Sequence, residues 1–428
     1  MMTWLRLVAV AMMLLPAQRL PAAPPSAVAE TIGHFRQLPG EDIWWSVNGE
    51  AMRWNNLNLE TIVRTVTVRR DGQVKALAER PMPAVANFEV STPTGKTGFK
   101  AFLDSPASTT MGVVILHRGE VVFEHYPRQQ AHDKPLFWSV TKVLVSTLMA
   151  ILESRGEVDV SLPVDHYIPD LEGTAYGGVP VRAVLDMASG VDCGDEYVDQ
   201  ASCYYRYSAS IGEGYRGPDA ADNPYAFVES LPPTARFAEP GVSFSYSGVD
   251  TFVAGWVIEA ITGLTFLEVL AREIWTRMGA EADGLLWASR YGIPLTSGGL
   301  MARVRDVARF GLLFTPSYAK VAEQPVIPPA YLQTILHGGD PRLMENARTG
   351  DLSGGDLRFN VYQWDAVYGN DDIYKGGWAG QGLLVNPTRD LVAVWTGYYD
   401  NEGQNIDVLP MLRQIFSGAF SSPDSAAD

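Results

Sequence analysis

Between Val140 and Ser154 the chain reads VTKVLVSTLMAILES, and Val140, Val143, Leu144, Thr147, Leu148, Ile151 and Leu152 recur at spacings of three and four. That period specifies a helix, and one so apolar must be enclosed by other elements rather than lie on a surface. Ser139 stands at the mouth of this helix, with Lys142 three residues on. Residues at that spacing share a helix face, which brings an amine within reach of a hydroxyl that is otherwise a poor nucleophile. The free N–H groups and positive dipole end of the helix favour negative charge developing at the same place.

The S-x-x-K spacing is not diagnostic alone, because a capping serine and a solvated first-turn lysine produce it too. Ser317-Tyr318-Ala319-Lys320 is a second match. It follows Pro316 and has no apolar helical run behind it, so it reads as a loop.

A length of 428 residues with 46% hydrophobic and 19% charged residues specifies a folded chain with a sizeable core: two or three domains, or one large enzyme domain with extensions. A formal net charge of −16 and the lack of a basic run exclude a nucleic-acid partner. Arg6, the apolar run Leu7–Leu15 and Ala27-Val28-Ala29 fit a secretory signal over residues 1–29. A cut nearer Ala23, a short membrane anchor or an ordinary first helix are the alternatives. The run is too short to span a bilayer, so no stable membrane span remains once it is removed. The expected location is periplasmic or secreted. Cys193 and Cys203 either close a disulfide or remain two free thiols. The six histidines form no paired-ligand pattern, and neither a metal nor an organic cofactor is called for.

Residues 30–108 read as an N-terminal extension, with a strand over Ile62–Val68. Gly95-Lys96-Thr97 lacks the first glycine of a phosphate loop. Residues 109–420 read as the main domain. It opens with a hairpin, Met111–Leu116 and Val121–His125, turned at Gly119, and contains a mainly helical insertion from about 156 to 293. Leu300–Phe314 is amphipathic, with Arg303, Arg305 and Arg309 on its expected solvated face. A second hairpin, Gln381–Val385 and Asp390–Thr396, precedes a closing helix, Leu409–Phe416. Strands near both ends with helices between them predict an α+β plan: one antiparallel sheet completed by both chain ends, with flanking helices.

Three further pieces bear on chemistry. Tyr246-Ser247-Gly248 precedes an apolar helical stretch, and its phenol can carry a proton. Lys375-Gly376-Gly377-Trp378 runs into the last hairpin, where glycines admit a substrate and an edge N–H can meet an oxyanion. Ser297-Gly298-Gly299-Leu300 is weaker. With Phe137-Trp138-Ser139-Val140-Thr141-Lys142, Met187-Ala188-Ser189-Gly190-Val191, Arg305-Asp306 and Gly377-Trp378-Ala379-Gly380-Gln381, these pieces in this order resemble the serine β-lactamase and penicillin-binding superfamily. Within it, they resemble the class C-like hydrolases that include 6-aminohexanoate-dimer hydrolases and related esterases.

The resemblance covers roughly Met111 to Phe416 and implies a β-lactamase/transpeptidase-like fold. By position it implies Ser139 as nucleophile, Lys142 as its base partner and Tyr246 as second proton carrier. It makes Lys375 and Gly377 part of the substrate-binding strand, with Trp378 supplying an oxyanion N–H beside that of Ser139. A shifted register aligning Trp378-Ala379-Gly380 with the family's K-T-G would demote Lys375. The literal Lys96-Thr97-Gly98 lies before the serine, in the wrong chain order. Gly248 stands where penicillin-recognising members carry asparagine, and Gly376 where they carry a hydroxyl. Both departures favour a small-molecule amide or ester as substrate. A β-lactamase or D-Ala-D-Ala carboxypeptidase is the alternative, and a non-catalytic cell-wall-binding module a second. Asp195, Glu196 and Asp199 read as surface charge or, alternatively, as a site for a substrate ammonium.

Overall fold

The computed structural model describes residue 33 and residues 45–93, 95–348 and 355–420. The expected signal segment lies outside them. Residues 41–428 form one compact unit.

Its spine is an eight-stranded sheet. In chain order the structure's strands are β1 (Thr65–Val68), β2 (Ala78–Glu79), β3 (Glu89–Thr92), β4 (Gly95–Gly98), β5 (Thr110–His117), β6 (Glu120–His125), β7 (Gly284–Trp287), β8 (Leu300–Met301), β9 (Leu357–Val361), β10 (Trp364–Tyr368), β11 (Ile373–Gly377), β12 (Gln381–Asn386) and β13 (Leu391–Gly397). The large sheet runs β2-β6-β5-β13-β12-β11-β10-β9, so β5 and β13, from opposite ends of the chain, lie side by side at its centre. Each neighbouring pair is antiparallel except β2 with β6. The β5–β6 hairpin turns through Arg118 and Gly119, both at positive φ (52° and 76°), the geometry a two-residue hairpin loop needs.

Alternation along the central strands builds a core on each face. Val114, Leu116, Leu383, Val385, Val392 and Val394 point into one core, which includes helices α2 (Lys142–Ser154), α3 (Gly248–Thr262) and α4 (Val304–Leu312). Val113, Ile115, Leu384, Leu391, Ala393 and Trp395 point into the other, covered by α5 (Leu409–Ala419). Each such buried valine, leucine or isoleucine side chain stabilises the fold by roughly 1.5–3 kcal/mol. Every residue of α2 from Lys142 to Leu152 is buried, as the apolar run requires. The helix α1 (Gly49–Asn58) precedes the sheet in the chain.

Several elements differ from the sequence reading. Only Thr65–Val68 of the expected Ile62–Val68 strand is extended, and it pairs with β7 outside the large sheet. Arg309 is not on a solvated face. It is fully buried, and Glu281, Asp306 and the Lys75 carbonyl take up its guanidinium at 2.7, 3.4 and 2.9 Å. Arg305 is tied to Glu124 and Glu79, and Arg303 to Glu281, so this face of α4 is closed by acidic partners brought from other elements. Cys193 and Cys203 form a disulfide. Among the described residues no single helix is long and apolar enough to cross a membrane.

Candidate active site

Ser139 lies in a 3-10 turn, Trp138–Thr141, that runs directly into α2. The turn is clamped from several sides. The Phe137 N–H donates to the Leu300 carbonyl at 2.7 Å, and Thr141 Oγ1 accepts the Leu300 N–H at 3.0 Å while donating to the Trp138 carbonyl at 2.6 Å. Trp138 Nε1 donates to Asn56 Oδ1 on α1 at 3.3 Å. Trp138 sits at φ +47°, a strained state for a bulky residue that persists only where its surroundings fix it.

Lys142 Nζ is 3.2 Å from Ser139 Oγ and donates to the Ser297 carbonyl at 2.6 Å. The weakest of the sequence pieces thus holds the lysine. Lys142 is only 1% exposed. Burial pushes its amine down to about 8, aided by the nearby Lys375 and opposed by Asp195, Glu213 and Asp365. The Tyr246 ring stands between two amines, with Lys142 Nζ 5.1 Å and Lys375 Nζ 4.7 Å from its centroid. Lys375 Nζ donates to the Tyr246 hydroxyl at 2.7 Å and pairs with Asp365 at 2.5 Å. Burial, with Asp365 and Asp195 adding, raises the Tyr246 phenol well above its ordinary value, so it is neutral near pH 7. Burial lowers the Lys375 amine, and Asp365 opposes that.

Lys375 thus reaches the Tyr246 hydroxyl from β11. Further along β11, a Cβ on Gly377 would meet the Phe137 carbonyl oxygen at 2.5 Å. Only glycine lets the strand end approach the Ser139 turn so closely. Trp378 follows as the first residue of the turn into β12, completed by Ala379 and Gly380 at positive φ.

Ser139, Tyr246, Gly377 and Trp378 open on a cavity of about 330 Å³. Asp195 and Tyr197, from the segment closed by the disulfide, also line it. Asp195 Oδ1 accepts the Gly248 N–H at 2.6 Å, Oδ2 accepts the Tyr197 hydroxyl at 2.9 Å, and the Asp195 N–H donates to the Tyr246 carbonyl at 2.9 Å. Burial holds the Asp195 carboxyl above its ordinary value, and the Lys142 charge opposes this. Behind it, the Tyr204 hydroxyl donates to Glu213 at 3.2 Å, and burial pushes Glu213 up to about 8. The acidic loop residues therefore divide: Asp195 lines the cavity, whereas the exposed Glu196 and Asp199 accept N–H groups of their own loop.

The structure brings Ser139, Lys142, Tyr246, Lys375, Gly377 and Trp378 together at one cavity. Lys96 instead pairs with Glu89 on the exposed β3–β4 hairpin. Sequence reasoning missed Asp365, Glu213 and Trp45. Asp365 carried a faint signal, since an aspartate ten residues before Lys375 can face it across the β10–β11 hairpin. Nothing local marked the other two.

A serine hydroxyl, a buried amine and a phenol stand beside the end of an antiparallel strand on a β-lactamase/transpeptidase-like fold. The chain belongs to the β-lactamase family, whose model matches residues 98–402. It is 30% identical over 289 residues to the 6-aminohexanoate-dimer hydrolase of Paenarthrobacter ureafaciens, covering 67% of this chain and 71% of that one. Among solved structures, a Bacillus anthracis protein assigned as a 6-aminohexanoate-dimer hydrolase superposes with a TM-score of 0.75 at 20% identity, over 91% of this chain and 98% of its own. A family VIII carboxylesterase superposes at 0.55 with 15% identity, over 75% and 95%.

Proposed function

We propose that this protein is an exported serine hydrolase that cleaves a linear amide or ester through an acyl-enzyme on Ser139. The observation that carries this reading is the 3.2 Å approach of Ser139 Oγ to an amine whose burial brings it to about 8. Lys142 acts as base rather than Tyr246, because the phenol is held neutral. Lys142 takes the Ser139 proton as Oγ attacks the carbonyl carbon. The N–H groups of Ser139 and Trp378 receive the oxyanion, a contribution of roughly 3–4 kcal/mol per donor in other enzymes. Tyr246 gives its proton to the departing amine or alcohol and regains one from Lys142, with Lys375 keeping the hydroxyl oriented. Water, deprotonated through the same pair, then splits the acyl-enzyme to a carboxylic acid and restores Ser139.

Two features favour a linear substrate over a β-lactam. A Cβ at Gly248 would meet Tyr204 at 3.0 Å and Ser297 Oγ at 3.1 Å, which leaves no place for an asparagine. A side chain at Gly376 would run into Tyr374. The carboxylate of Asp195 on the cavity wall favours a neutral or cationic substrate, such as an amino-terminated amide, over an anionic one. The disulfide supports an oxidising, exported location.

The test is intact-mass detection of an acyl adduct across linear amides, aryl esters and a cephalosporin. An adduct on Ser139 with an ester or amide, absent in Ser139→Ala, is expected. Turnover by a folded Ser139→Ala variant contradicts the assignment.

A further inference from the structure

Trp45 precedes the region that matches the family, yet it lines the catalytic cavity. It is 3% exposed, and its indole packs on three site elements. It meets Trp138, the residue before the nucleophile, at a centroid distance of 5.1 Å. It meets Tyr197, on the disulfide-closed segment, at 5.0 Å, and Trp378, at the oxyanion edge, at 5.7 Å. All three contacts are edge-on, with interplanar angles of 63°, 85° and 78°, which locks the ring in place. Among the described residues Trp45 Nε1 has no hydrogen-bond partner, so shape and not a polar contact holds it there.

We propose that Trp45 is a specificity-determining residue: it is the end wall that limits how long a substrate chain the cavity accepts. The cavity, about 330 Å³, stands near the lower end of small-molecule sites, which run from about 300 to 1,000 Å³. Among the described residues, no other side chain from upstream of the matched family region lines it. Replacing the indole by a methyl group joins its volume to the cavity beside Ser139 and frees Tyr197 and Trp378 to part. The wall discriminates by contact with apolar chain. A single misfitting methylene changes kcat/KM by about 10–200-fold in such pockets.

The inference rests on the hydrolase reading, and its test separates the two. kcat and KM are measured for p-nitrophenyl esters from acetyl to decanoyl with the full-length wild type, Trp45→Phe, Trp45→Leu and Trp45→Ala. Ser139 occupancy by a fluorophosphonate is read in each. The expected result is a decanoyl-to-acetyl ratio of kcat/KM that climbs in the order Phe, Leu, Ala. It should reach at least about tenfold over wild type in Trp45→Ala, chiefly through KM, while Trp45→Phe stays close to wild type. If Trp45→Ala gives no folded protein, Trp45→Leu carries the same expectation with a smaller rise. A chain-length profile unchanged in the labelled Leu or Ala variant overturns the role of Trp45, and so does Trp45→Phe behaving like Ala. Failure of every ester to acylate wild-type Ser139 removes the hydrolase reading, and this one with it.

Discussion

The chain carries the same four-residue spacing twice, and the two copies have become different objects. At Ser139–Lys142 the lysine is 1% exposed, its amine is brought to about 8, and its hydroxyl neighbour is 3.2 Å away. At Ser317–Lys320 the residues lie in a 3-10 turn on the surface, Lys320 is exposed, and Ser317 Oγ donates to Asp390 at 2.5 Å. The same spacing leaves one lysine buried beside its serine and the other exposed on the surface. The apolar helix that buries Lys142, and the glycine-lined strand and phenol that close over it, supply the difference. Desolvation lowers the Lys142 amine to about 8, and the short spacing only decides what lies beside it.

The sharpest break between the copies is at the serines. Ser139→Ala should lower kcat/KM on an aryl ester by about ten-thousand-fold, leaving only oxyanion and binding contributions. Ser317→Ala should leave it unchanged, with a small loss of thermal stability from the freed Asp390. At the lysines, Lys142→Met should cost about 10²–10⁴-fold and Lys320→Met nothing measurable. Equal effects at both lysines would undo the distinction drawn here.

A smaller effect concerns what tunes the buried amine. In the proposed mechanism Lys142 works when uncharged, so kcat/KM should rise with pH through about 8. Asp195 opposes the lowering of Lys142. Its charge favours the protonated amine, so Asp195→Asn should move the rise to lower pH. A profile moved upward would mean that another group governs it. The smallest expected effect is at the disulfide, which closes the segment bearing Asp195 and Tyr197. Reduction of Cys193–Cys203 should lower kcat/KM by about tenfold, less than the ~10²-fold that a 1 Å misplacement of catalytic groups costs. Ser139 should remain reactive to a fluorophosphonate.

Much of this was legible in the amino-acid order. The apolar helix, the two hairpins and the closing helix are local patterns. The S-x-x-K, Tyr246 and Lys375-Gly376-Gly377 pieces gain meaning from their sequence along the chain. Contacts set by three-dimensional closure were not legible. Arg309 looks solvated on a helical wheel because Glu281 and the Lys75 carbonyl reach it from elsewhere. Trp45 and Glu213 come to the site from far along the chain, and no spacing rule links either to Ser139. The cysteine pair left its own oxidation state open, since ten residues suit either outcome until the loop is folded.

The central claim is that Ser139 is activated by an amine that burial has made a base near neutral pH. The rate at which a fluorophosphonate labels Ser139, followed from about pH 6 to 10.5, tests it most directly. The account predicts a single rise centred near 8 in wild type, with no such rise in Lys142→Met. A rate flat across that range, or one that climbs only near the ordinary lysine value of 10.5, would contradict it.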